Sequence, residues 1–136
     1  MIQFHTETEF TLDNQDQYSS WIETSIIKME KEVGDINYIF CDDAYLLKIN
    51  QEYLNHDTYT DIISFDYTDK NRLSGDIFIS IDRVKENAKR FKVLFEVELR
   101  RVLIHGILHY AGYKDKTDEE KKEMREQENE KLLLFK

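Results

Sequence analysis

Residues 93–108 constrain the fold of this chain most. Their sequence, VLFEVELRRVLIHGIL, would place apolar side chains around much of the circumference of a helix. A surface helix carries a single apolar stripe, whereas a helix that is apolar on most sides is buried. The sequence therefore predicts a buried helix that other elements of the chain must cover.

Two histidines, His105 and His109, lie near the end of this predicted helix. Side chains four residues apart share a helix face, with Cβ atoms about 5–6 Å apart, so both rings can reach one metal ion. Gly112 can adopt a positive φ and turn the chain, which would bring Asp115 to the same point as a third ligand. Three protein ligands and an open position are typical of a catalytic zinc site. A histidine pair alone is more often a core or surface feature, but buried rings need partners, and a metal supplies them.

The remaining sequence predicts strands and helices in a mixed order. Residues 68–74 form a short connection, which favours an antiparallel hairpin. Together the elements predict an α+β fold: a single domain over residues 1–136, with a mixed four-stranded sheet packed with about five helices, including a zincin-like metal helix. Besides the buried helix, the predicted strands are 1–12, 36–41, 61–67 and 75–81, and the predicted helices are 14–33, about 43–54, 82–91 and 117 onward.

The ends of these elements depend on a few residues, because the chain has no proline and its turns must use Gly, Asp, Asn and Ser. The second helix is expected to direct Ala44, Leu47 and Leu54 toward the core, and the apolar segment 132–135 is expected to dock on the body of the domain. The predicted ends are Gly34 after the first helix, Asp42 or Asp43 as cap of the second, Asp82 as cap of the next, and a capping box over residues 117–120.

Composition limits the class of protein. The chain has 136 residues, of which 40% are hydrophobic and 12% aromatic, as in a folded globular domain. It has no apolar run near the roughly 20 residues that span a bilayer, and its start lacks the pattern of a signal peptide. The single cysteine, Cys41, suits a reducing compartment and is expected to be buried at a strand end. We therefore expect a cytoplasmic protein without membrane contact.

The formal net charge of −9 disfavours nucleic-acid binding, because affinity for nucleic acid comes mostly from basic groups on phosphates. The distribution of charge softens this objection, since much of the acid lies from Asp115 onward. The basic cluster in 85–92 is compatible with either an RNA contact or a solvated helix face. The basic residues in question are Lys85, Lys89, Arg90 and Lys92, followed by Arg100 and Arg101 before the histidine pair.

Three blocks of sequence carry a family resemblance: HGILHYAGYKD at 105–115, INQEY at 49–53 followed by TDIISF at 60–65, and GDIFIS at 75–80. In this order they resemble the YbeY family of metal-dependent endoribonucleases, over residues 36–134. The resemblance implies the same fold and the metal ligands His105, His109 and Asp115. The family usually has His at the third ligand position and often has Arg where Leu54 stands, so no role of that Arg is carried over.

The resemblance also implies a function. It implies a single-strand-directed, metal-dependent endoribonuclease that acts in small-subunit ribosomal RNA 3′-end maturation and ribosome quality control. One Zn²⁺ per chain, or another divalent ion, would be the cofactor. RNA and the ribosome or its small subunit would be the partners, and no DNA is expected.

Other polar and aromatic residues invite roles. Asp61 and Ser64, in the second block, are predicted to bind substrate, although Asp61 could instead end a turn and Ser64 could fill a small core position. Tyr113 could stack a base but is expected to pack. No side chain is assigned a catalytic role beyond the ligands, and the loop residue His56 is given none.

Three alternatives remain open. A zinc protease shares the histidine spacing but places Glu directly after the first His, where this chain has Gly106. A non-catalytic, metal-dependent RNA- or ribosome-binding factor would explain Leu54 and the acidic charge. A two-His-one-carboxylate iron oxygenase fits the ligand types, but nothing in the sequence indicates a cosubstrate site.

Overall fold

The computed structural model describes residues 1–54 and 60–136, so His56 lies outside the described residues. Strands and helices alternate irregularly along the chain, as the sequence predicts. The described elements are β1 (Ile2–Thr6), α1 (Gln15–Lys28), β2 (Glu32–Cys41), α2 (Asp43–Tyr53), β3 (Ile62–Asp66), β4 (Arg72–Ser80), α3 (Ile81–Phe91), α4 (Phe95–Tyr110) and α5 (Asp118–Leu132).

The strands form one sheet in the order β1-β2-β4-β3. β1 and β4 both pair with β2 in parallel, and β3 pairs with β4 as the predicted antiparallel hairpin, with Ile63 opposite Phe78. β3 is therefore an edge strand among the described elements. The predicted α+β fold, a mixed four-stranded sheet with five helices, is confirmed.

Alternating side chains of the sheet supply two separate cores. Tyr38 and Ile77 belong to the larger one, which α1 and α4 cover; Cys41 and Ile63 belong to the smaller one under α2. The predicted burial of α4 is confirmed, since Leu103, Ile104, Ile107 and Leu108 are fully buried. The buried Tyr38 hydroxyl donates a hydrogen bond of 2.9 Å to the Leu103 carbonyl, which fixes α4 against β2.

The first helix ends earlier than predicted, at Lys28 rather than residue 33, and Glu30 makes the turn with a φ of 60°. Gly34, the predicted helix terminator, lies instead within β2. A Cβ at this position would be 2.1 Å from the Ser74 Oγ and 2.5 Å from the Leu73 carbonyl oxygen. The glycine is therefore required by close strand approach and not by a helix end.

Two predictions about helix faces and caps are wrong. α2 buries Leu46, Ile49 and Asn50, whereas Ala44 and Leu54 are exposed and Leu47 is half-buried. α3 is capped by Ser80, whose hydroxyl accepts a hydrogen bond from the Arg83 amide, because β4 runs directly into the helix. Asp82 lies in the first turn of α3, and its carboxylate accepts a hydrogen bond of 2.9 Å from the Asp43 amide.

Other local predictions are confirmed. Asp42 caps α2, and Thr117 with Glu120 forms the capping box of α5. Phe135 packs against α1 as the expected C-terminal docking. Cys41 is buried at the end of β2. Among the helices that the structure describes, none is long and apolar enough to cross a membrane.

Candidate metal centre

The C-terminal end of α4 builds the site. His105 and His109 lie on one helix face, with ring centroids 4.6 Å apart. The helix ends at Tyr110, and Gly112 has a φ of 104°, a backbone conformation that favours glycine. Its amide donates to the His109 carbonyl, which closes the helix end and turns the chain back. The turn places Asp115 beside both histidines, as the sequence predicts.

Three donor atoms converge at this point. The Nε2 atoms of His105 and His109 are 3.0 Å apart, and each lies 3.2 Å from Asp115 Oδ2. Atoms at these separations lie on a circle of about 1.8 Å radius, which fits inside zinc–ligand distances of about 2.0–2.2 Å. Their side chains remain 21%, 32% and 38% exposed, so the group is open to solvent on one side.

The hydrogen bonding of the three donor residues also favours the binding of a cation among them. The Nδ1–H of His105 donates to Glu128, so in the neutral ring the lone pair of His105 Nε2 faces the other two donor atoms. Lone pairs of two nitrogens and a carboxylate repel one another at about 3 Å unless a proton or metal ion lies among them. Among the described residues, His105, His109 and Asp115 are the set that could hold a metal ion. The donor set therefore fits a divalent cation of the zinc type.

Sequence reasoning did not identify Glu128. Its carboxylate accepts a hydrogen bond of 2.7 Å from His105 Nδ1 and one of 3.0 Å from Arg101 Nη1. Histidine ligands of metals almost always donate their second N–H to such a group, which fixes the tautomer and the ring orientation. A signal existed in the sequence, because Glu128 follows Met124 by four residues and so shares its helix face, which is the buried one.

The electrostatics of the cluster follow from its burial. Burial opposes the charge of His105, but the hydrogen bond to Glu128 and the charges of Glu128, Asp115 and Asp61 outweigh it and raise the pKa of His105. Burial likewise opposes ionisation of Glu128, but hydrogen bonds from His105 and Arg101 lower its pKa. Burial raises the pKa of Asp61 despite the nearby His105. The network therefore holds Glu128 ionised against His105.

A cavity of about 490 Å³ opens beside the three donor atoms. Asp61 and Ser64 both line it, so the structure brings the two predicted substrate residues to the predicted metal ligands. Asp61 Oδ2 accepts a hydrogen bond of 3.4 Å from Asn87, and Ser64 is half-buried. Their contact with substrate stays a prediction. The buried Glu98 also lines this cavity, and burial followed by the charge of Asp61 raises its pKa.

Other candidate residues lie elsewhere. Tyr113 is half-buried and packs on the larger core, as expected, outside the lining of the metal cavity. Arg100 stacks on Phe135, with its Cζ atom 3.9 Å from the ring centroid. Arg101 lies in the cavity wall, but its guanidinium is bound to Glu128 and Asn129. The exposed Leu54 ends α2 and takes no part in the lining of the cavity.

The residue after the first histidine is Gly106, which has no side chain to act as a protease base. A Cβ at Gly106 would lie 2.9 Å from Ile77 Cδ1 and 3.3 Å from Ile62 Cδ1. Gly106 therefore lets α4 approach the sheet closely, and a glutamate would displace core side chains there. Gly106 therefore counts against the metalloprotease alternative, which shares only the histidine spacing.

With this geometry in place, comparison with known proteins decides the family. The sequence profile of the family Endoribonuclease YbeY matches residues 1–136. The chain belongs to the YbeY family. The activity for which that family is named is the hydrolysis of RNA within the strand, so the predicted enzyme class is confirmed.

Individual relatives agree over nearly the whole chain. The chain is 62% identical over 135 residues to Endoribonuclease YbeY of Flavobacterium johnsoniae, which covers 99% of this chain and 97% of that protein. It is 48% identical over 136 residues to Endoribonuclease YbeY of Karelsulcia muelleri, which covers 100% and 96%. The solution structure of TM1509 from Thermotoga maritima matches with a TM-score of 0.71 and 29% identity, and covers 99% of this chain and 89% of that one. The fold and the family thus agree.

Proposed function

We propose that the chain is a zinc-dependent endoribonuclease that cleaves single-stranded ribosomal RNA at the cavity beside His105, His109 and Asp115. The convergence of three donor atoms at 3.0–3.2 Å, in a cavity open to solvent, is the observation that carries this proposal. Family membership supports the reaction class, and the geometry supports this location for the reaction.

The donor set supports zinc but is compatible with manganese or iron. Two neutral imidazoles and one carboxylate leave a divalent ion with a net charge near +1, and the carboxylate raises tolerance for harder ions. When bound, such an ion supplies Lewis-acid chemistry and makes its water more acidic. Asp115 thus sets the charge of the site, and His105 and His109 set its geometry.

The side chains around the ligands have roles of their own in this proposal. Glu128 holds the His105 ring in one tautomer and one orientation. Asp61 and Glu98, whose pKa values are raised by burial, are placed in the cavity wall to hold or pass a proton during hydrolysis. Ser64 is placed to donate a hydrogen bond to a phosphate or a sugar hydroxyl.

The wider context is also a proposal, and family membership supports it. The RNA would be that of the small ribosomal subunit, with cleavage during maturation of its 3′ end and a further role in ribosome quality control. The ribosome or its small subunit would then be the partner, and the cytoplasm the compartment. A buried, unpaired Cys41 is consistent with a reducing compartment.

The test uses His109→Ala, with His5→Ala as a matched control, because His5 is exposed on β1. Both purified variants and the wild type are analysed for bound metal and incubated with an RNA that contains the 3′ region of small-subunit ribosomal RNA. We expect one metal ion per chain and cleavage for the wild type and His5→Ala, and loss of both for His109→Ala. Cleavage by His109→Ala at the wild-type rate would refute the proposed site. Metal binding without cleavage by the wild type would favour the non-catalytic binding factor.

A further inference from the structure

Phe91 is an exposed aromatic residue at the rim of the metal cavity. It is the last residue of α3, it is 52% exposed, and it lines the cavity together with Asn87 one turn earlier. On the same helix Val84 and Ala88 are buried in the core, and Phe91 continues their spacing. The ring therefore extends the core-facing stripe of α3 beyond the edge of the core and meets the cavity instead.

Among the described residues, Phe91 is not part of either hydrophobic core. Arg90 lies beside the ring, with its Cζ atom 6.0 Å from the ring centroid. Other large apolar side chains of the described residues are exposed as well, but among them Phe91 is the aromatic one that lines the cavity with the metal ligands. An aromatic face next to a guanidinium is the usual platform for an unpaired base.

The charges of the cavity place the RNA backbone at the rim. Two guanidinium groups face four carboxylates in the wall, so without a metal ion the cavity does not attract phosphate. The four carboxylates belong to Asp61, Glu98, Asp115 and Glu128, and the two guanidinium groups belong to Arg101 and Arg125.

Exposed cations flank Phe91 in the sequence. Lys89, Arg90 and Lys92 are all exposed, at and just beyond the C-terminal end of α3. These three residues are not part of the cavity lining, so their exposed side chains are available for phosphates outside it. Of the two readings of the basic cluster, the position of Phe91 favours the RNA contact.

We propose that Phe91 stacks a base of single-stranded RNA next to the cleaved bond, while Lys89, Arg90 and Lys92 hold the adjoining phosphates. This inference rests on the proposed location of cleavage at the metal cavity. It adds a substrate-positioning residue and a physical reason for single-strand preference. A base can lie on the ring face only after it leaves its own stack, so a duplex pays an unstacking cost that a single strand does not.

The test compares Phe91→Ala, Phe91→Leu and Phe91→Tyr with Leu94→Ala, a control that removes another exposed apolar side chain close by in sequence. A short unpaired RNA with one 2-aminopurine reports stacking by fluorescence quenching in a stopped-flow binding phase, before cleavage. Steady-state cleavage of the same RNA gives KM and kcat. Because stacking on one aromatic ring changes affinity by roughly 10-fold or more, we expect Phe91→Ala to raise KM about 10-fold with little change in kcat.

The pattern across the variants decides the outcome. Phe91→Ala and Phe91→Leu should both lose the quenching, Phe91→Tyr should keep it, and Leu94→Ala should match the wild type. Unchanged quenching in Phe91→Ala would show that the base does not contact Phe91. Quenching that is kept in Phe91→Leu would show that an aromatic ring is not needed. Either result would overturn the proposal. The binding signal does not require cleavage, so a wild type that binds and quenches but does not cleave would refute the proposed function and leave the stacking contact supported.

Discussion

The prediction that tests the site most directly concerns Glu128, which binds no metal itself. Glu128→Gln removes the negative charge that accepts the 2.7 Å hydrogen bond from His105. The amide can then present either its oxygen or its NH₂ group to the ring, so neither the tautomer nor the orientation of His105 is fixed. Loss of such a partner typically lowers metal affinity about 10- to 100-fold, which corresponds to about 1.4–2.8 kcal/mol.

The same substitution also affects folding, and the two effects must be separated. Glu128 is 6% exposed and Arg101 is 18% exposed, so their 3.0 Å ion pair is largely buried. Its loss should lower the free energy of unfolding by about 2 kcal/mol, less than for a fully buried pair because Arg101 keeps its bond to Asn129. Arg101→Met removes the same ion pair but leaves the Glu128–His105 bond in place.

The assay measures zinc affinity by competition with a chelator, and stability by urea unfolding of the metal-free protein. Both Glu128→Gln and Arg101→Met should lose stability, but only Glu128→Gln should lose the expected metal affinity. Glu126→Gln, an exposed residue on the same helix, controls for the change in net charge. A zinc affinity of Glu128→Gln within about 3-fold of the wild type, or an equal loss in Arg101→Met, would refute the role given to Glu128.

Three further predictions concern other residues. Asp115→His removes a negative charge from the ligand set, so the bound water should become more acidic and the pH–rate profile should move to lower pH; an unchanged profile would contradict the charge argument. Burial, and then the charges of nearby acidic residues, raise the pKa of Cys41 to about 12, so little thiolate exists at neutral pH. A thiol reagent at about pH 8 should therefore label Cys41 only as fast as the protein unfolds, and rapid labelling of the native protein would disprove this. A Cβ at Gly75 would lie 2.3 Å from both the Tyr110 hydroxyl and the Phe65 carbonyl oxygen, so Gly75→Ala should lower the free energy of unfolding by about 3 kcal/mol in urea titrations; a loss below about 1 kcal/mol would show that the sheet adjusts.

The convergence of the three candidate metal ligands was predictable because their signals are local. His105 and His109 are four residues apart on a helix that the apolar pattern identifies, and Gly112 marks the turn that brings Asp115 back. Glu128 was not predictable in the same way, because it is one of several acidic residues in the same segment. Its four-residue spacing from Met124 indicates a shared helix face, but its role follows from contact with Arg101 and His105 on a different helix.

The errors in the fold have the same origin. Gly34 resembles a helix terminator in sequence, but contact with β4 requires it in a strand. Glu30 takes the left-handed turn instead, although it is not a glycine. Ser80 and Asp82 are both good helix caps, and the choice of Ser80 depends on where β4 ends. In each case local sequence preference allowed several helix ends or caps, and long-range contacts selected one of them.

An acidic chain can act on RNA because the position of its positive groups matters more than their number. With 28 acidic and 19 basic residues, the surface as a whole repels phosphate, so non-specific RNA binding is weak. The wall of the cavity is itself acidic among its described residues, and metal binding at His105, His109 and Asp115 would offset that charge. If Phe91 stacks a base as proposed, affinity depends on simultaneous contact with the candidate metal site and with the α3 rim around Phe91. A strand that is paired, or too short to reach both, would then satisfy only one of the two contacts, and specificity would follow from geometry and not from net attraction.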